Sequence, residues 1–112
     1  MSDVEHHLGR LMARLQRWYK DRCDGEWEHS YGIAIGTLDN PGWSMRIDLA
    51  ETPWEDIEDC GCLNDRSEHN WTDYRIADRK FQGYCGIDNL PELLDAFFRV
   101  IDSERQGDRN RD

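Results

Sequence analysis

The sequence predicts an α+β domain in which an N-terminal helix and a C-terminal helix packed on the sheet flank an antiparallel meander of about four to five strands. Three observations carry this expectation. Apolar residues recur every three to four positions at both ends of the chain, they alternate with polar or small residues through the middle, and turn-forming clusters separate the alternating runs. Both apolar helical stripes then need a sheet face to cover them. At 112 residues the chain is expected to form one domain over residues 1–104, followed by a polar, mobile tail over 105–112. A domain of this size buries only about two thirds of the surface its unfolded chain exposes. Five tryptophans, four tyrosines and three phenylalanines are therefore expected to carry much of the core.

The first helix opens with the capping-box spacing of Ser2 and Glu5, and Val4, Leu8, Leu11, Met12, Leu15, Trp18 and Tyr19 form its stripe up to Gly25. Arg10, Arg14, Arg17 and Lys20 lie on the other face, where solvation is the ordinary role of such residues. From Tyr31 the period becomes two. Tyr31, Ile33 and Ile35 form one strand face, and Trp43, Met45, Ile47 and Leu49 another, joined by "LDNPGW" as a type II turn with Gly42 at positive φ. Past the acidic run "AETPWEDIED", shorter strands are expected around Cys60–Arg66, Trp71–Ala77 and Lys80–Tyr84. Asn89 as N-cap, Pro91 in the first turn and Glu92 at N3 then start a helix whose stripe is Leu90, Leu93, Leu94, Phe97, Phe98 and Ile101.

The formal net charge is −10, and its distribution is uneven. Residues 1–22 carry five bases against three acids, residues 23–65 one base against eleven acids, and residues 66–112 eight bases against ten acids. A field of one sign on a small domain repels nucleic acid and anionic membrane and steers basic partners, although plain solvation would account for the same acids. No run approaches the ~20 apolar residues of a membrane span, and "MSDVEHHLGRLM" does not read as a signal peptide. A cytoplasmic protein is expected, with Cys23, Cys60, Cys62 and Cys85 reduced.

Three chemistries compete for the stretch "CDGEWEHSYGIAIGTLDNPGW". Glu26 and Glu28 could serve as a carboxylate pair with His29 as acid or base, in a small hydrolase-like enzyme, if the segment is extended so that spacing of two places both on one side. No nucleophile motif, phosphate-cradling loop or oxyanion device accompanies them, so no enzyme is expected. Cys60 and Cys62, completed by Cys23, Cys85 or His29, could make a metal-binding regulatory module, but "CGC" lacks the pairing of a zinc site; neither metal nor cofactor is expected, and strand cysteines are ordinarily small apolar fillers. The reading preferred is a protein-binding face made of Trp27, Glu28, Asp48, Glu51, Glu55, Asp56, Glu58 and Asp59, an aromatic anchor within a charged rim. The competing view of Trp27 and Trp43 is that they cover the sheet.

The run "WYKDRCDGEWEHSYGIAIGTLDNPGWSMRIDL", with Asn70–Trp71, "KFQGYCG" at 80–86 and the leucine-rich last helix, resembles the immunity protein 53 family of bacterial polymorphic toxin systems. The resemblance extends from about Leu11 to Ile101, and rests on Trp18–Tyr19, Asp24–His29, Tyr31–Ile33, Leu38–Trp43, Lys80–Tyr84 and Leu90–Leu93. The segment "EDIEDCGCLND" and Cys85 depart from the family pattern, which leaves the cysteines outside it. The resemblance implies a protein that binds and neutralises the catalytic domain of a cognate toxin, protecting producer and sibling cells, with no reaction of its own. The acidic balance suits a toxin with a basic cleft such as a nuclease.

Overall fold

A computed structural model describes the backbone of residues 3–110 and the side chains of residues 3–103. Ser2 of the anticipated capping box and the side chains of the tail at 105–112 lie outside the described residues. Helix α1, Asp3–Arg22, buries Leu11, Leu15 and Trp18. A helical turn, α2 at Trp27–Ser30, precedes strands β1 (Ile33–Leu38), β2 (Gly42–Asp48), β3 (Cys60–Ser67), β4 (Asn70–Ala77) and β5 (Lys80–Cys85), and helix α3 spans Leu90–Asn110.

The five strands are antiparallel throughout, as their alternation predicts, but their order is β1-β2-β5-β4-β3 and the arrangement is not a simple meander. Residues 49–59 carry the chain from β2 to the far edge of the sheet, and β4 and β5 return it to pair with β2. The connection is held at two points. Trp54 is buried against Trp18, with its Nε1 donating to the Ile101 carbonyl at 3.1 Å, and the Leu49 amide donates to the Arg79 carbonyl at 2.8 Å. A hydrophobic plug in mid-loop thus lets an irregular segment cross the end of the sheet without leaving apolar surface in water.

One face of the sheet meets both helices. Met45, Ile47, Ile76, Phe81 and Cys85 pack there with Leu93, Leu94, Phe97 and Phe98 from α3. The two helices are also tied at their exposed edges. His7 Nε2 lies 2.7 Å from Asp95 Oδ2, and Arg14 pairs with Asp102 while lying over the Phe98 ring. Arg14 is thus a contact between helices rather than part of a purely solvated basic face. Asn89 stands at the N-cap position of α3, its carbonyl accepting the Leu93 amide at 3.0 Å, while its side chain ties the helix start to β4. Asn89 Nδ2 donates to Glu92, the Asn89 side-chain oxygen accepts from the Trp71 amide, and Arg66 and Thr72 both donate to the Glu92 carboxylate. Burial alone would raise Glu92, but these hydrogen bonds hold it below the usual carboxylate range.

Gly42 corrects the expected turn. It is the first residue of β2, paired with Leu38 across a three-residue connection, and the described glycine with positive φ is Gly25, at 96°. What Gly42 provides is close approach, because a Cβ there would collide with the backbone carbonyl of Cys85 on β5. Gly42→Val is therefore expected to destabilise by about 1–3 kcal/mol through overpacking against backbone that cannot give. Urea unfolding checks this, and a wild-type midpoint would show that β2 and β5 can separate there at no cost.

Candidate functional site

Trp27 does not present an anchor to solvent. The Asp24 carboxylate accepts the amides of Glu26 and Trp27, both at 2.9 Å, and the Glu28 carboxylate reaches back to the amides of Asp24 and Gly25. Those bonds turn the chain through α2 and point the indole inward. Trp27 is 4% exposed, meets the Trp18 ring edge to face, and donates from Nε1 to the Ala50 carbonyl at 2.9 Å. Asp48 is likewise buried, its Oδ2 accepting the Gly32 amide at 2.9 Å at the entry to β1. Both residues, expected on the binding face, belong to the framework instead.

The carboxylate pair fails for a related reason. Trp27–Ser30 is helical, so residues two apart do not face each other, and the Glu28 carboxylate is already occupied by backbone donors. Hydrogen bonds from the Trp27 and Glu26 amides hold Asp24 below its ordinary value. Glu28 is held down by its own backbone and by the amides of Asp24 and Gly25. These carboxylates fold the segment.

The cysteines are dispersed. Cys85 is buried on β5, where desolvation pushes its thiol up to about 11, while Cys23, Cys60 and Cys62 are exposed, contrary to the filler role expected of strand cysteines. Among the described residues no group of three or more His, Cys, Asp or Glu is disposed to hold a metal ion.

The remaining acids do form a surface. Glu51, Asp56, Glu58 and Asp59 are exposed along the connection from β2 to β3, and Glu55 is half-buried. The loop is pre-shaped. Thr52 Oγ1 donates to the Leu49 carbonyl at 2.7 Å and accepts the Trp54 amide, and Glu55 Oε1 accepts the Glu51 amide at 3.0 Å while lying 3.7 Å from Arg79. Glu51, at φ 59°, sits in the left-handed region that this tight bend imposes.

The loop runs directly into β3, where every residue from Glu58 to Asn70 is exposed. β3 pairs with β4 alone, at the edge of the sheet. Its pairing with Asp73 on β4 aligns Leu63 with Tyr84 on β5 and Ser44 on β2, a row across the sheet face opposite the helices. Leu63 is 65% exposed and Tyr84 41%. Both are large side chains exposed on this face, whereas Trp27, the anchor expected from the sequence, is buried. For Tyr84 a signal existed, since its parity is opposite to that of the core residue Phe81.

Among the described residues no helix is long and apolar enough to cross a membrane. The family model of Immunity protein 53 matches residues 12–102. No curated protein and no solved structure matches the chain. The matched residues take in the whole five-stranded sheet and most of the helix faces that cover it, and the chain belongs to the immunity protein 53 family.

Proposed function

We propose that this protein neutralises a cognate toxin by binding the toxin's catalytic domain with the acidic loop 51–59 and the bare β3 arm, protecting the producing cell and its siblings. The observation that carries the reading is the unbroken exposure from Glu58 to Asn70, directly after an acidic loop held in one shape. A strand covered on neither face adds little to the monomer's core, whereas a pre-shaped loop loses little entropy on binding. The acids give fast encounter with a basic surface, and Leu63 and Tyr84 supply the apolar contact that slows release. The partner that fits is a toxin domain with a basic substrate cleft, such as a nuclease. Such a protein needs no cofactor and no chemistry of its own.

The test is the binding kinetics against the toxin domain encoded beside this chain. Glu51→Gln, Asp56→Asn, Glu58→Gln and Asp59→Asn combined should lower the association rate constant by about tenfold or more at low salt and flatten its salt dependence. Glu55 is spared because it holds the loop. Stability should change by no more than about 0.5 kcal/mol, since these are surface sites. Leu63→Asp should instead raise the dissociation rate. Association indifferent to both the neutralisation and added salt would refute the steering role of the loop.

A further inference from the structure

The opposite edge of the sheet has a different chemistry. β1 has the sequence IAIGTL, with no charged residue and no proline, and only its inner side is paired, with β2. Beside it a groove of about 590 Å³ opens between α1 and the strand, lined by Gly9, Met12, Ala13, Gln16, Tyr19 and Ile33 among others, none of them charged. Met12, Tyr19 and Ile35 are each more than a third exposed. In a chain of which 34% is charged, a bare strand edge joined to an apolar, uncharged groove stands apart from the rest of the surface.

We infer that this face is the interface of a homodimer in which two β1 strands pair antiparallel across a twofold axis and the two α1 helices close the groove between them. The occupant is set by charge. A basic toxin surface finds its counter-charges at loop 51–59, whereas the β1 edge offers it none. A second copy is complementary here, because it brings the same unpaired strand edge and the same uncharged groove, and antiparallel pairing of the two edges satisfies the backbone groups of both. A twofold axis beside β1 turns the two α1 helices antiparallel over an uncharged centre. Gly9 and Ala13, one helical turn apart, leave room for close helix approach. Both β3 arms remain outward, so dimerisation does not compete with toxin binding.

Sedimentation equilibrium of the full chain over a range of micromolar concentrations tests this. The expected mass is twice the 13.3 kDa of one chain. Met12→Glu and Ile35→Lys, each placing a charge at an exposed position on the face, should each give the monomer while retaining cooperative unfolding. Amide exchange in β1 should slow as concentration rises in the wild type and lose that dependence in Met12→Glu. A monomeric wild type at all concentrations overturns the inference, as does a dimer that survives both substitutions. It is also overturned if Met12→Glu abolishes toxin binding in a chain that is already monomeric, which would give the groove to the toxin.

Discussion

Phe97→Ala is expected to cost about 3–5 kcal/mol, the usual range for removing a fully buried phenylalanine. Phe97 is 0% exposed and touches three other rings, with centroids 5.4 Å from Trp18, 5.2 Å from Phe81 and 5.0 Å from Phe98. It therefore joins α1, the sheet and α3 at one point, and no exposed neighbour can swing in to refill the space. Against the roughly 5–15 kcal/mol that holds a typical domain together, the loss is a large share of the whole. Urea titration should show the midpoint falling at nearly constant slope, and Phe97→Leu should recover much of the loss. A wild-type midpoint in Phe97→Ala would show that α3 does not depend on this contact.

Trp27→Ala should be comparably destabilising, at about 3–5 kcal/mol, because the indole fills the space between Trp18, Tyr19 and Tyr31. It has a second consequence. Its Nε1 donates to the carbonyl of Ala50, the residue before the acidic loop, so Trp27 helps set where that loop begins. Trp27→Phe keeps most of the ring packing and removes the donor, and should cost about 1–3 kcal/mol for the Ala50 carbonyl left without it. The discriminating measurement pairs stability with dissociation from the toxin domain. If Trp27→Ala keeps wild-type stability and releases the toxin faster, the indole is a surface anchor and the burial described above is wrong.

Much of the architecture was legible because it follows from local rules. The 3–4-residue spacing of Leu11, Leu15 and Trp18, the alternation of Met45 and Ile47 with Ser44 and Arg46, and the Asn89 and Glu92 cap each report the conformation of their own segment. The motif residues Asp24, Gly25 and Glu28 were legible as a cluster but not in their role. Three carboxylates around a tryptophan look like a site until their hydrogen bonds show that Asp24 and Glu28 close a turn.

The sequence by itself determined the class of fold, the two long helices and the run of antiparallel strands between them, the family resemblance and the acidity of the central segment, since each depends on near neighbours or on composition. Only the tertiary structure decided the strand order, the burial of Trp27 and Asp48, and the exposure of β3, Leu63 and Tyr84. Alternation says which residues share a face but not what lies against that face. That is decided when residues 49–59, pinned by Trp54, carry the chain past β2 to the far edge and leave β3 exposed there, paired with β4 and tied to α3 by the Arg66–Glu92 ion pair.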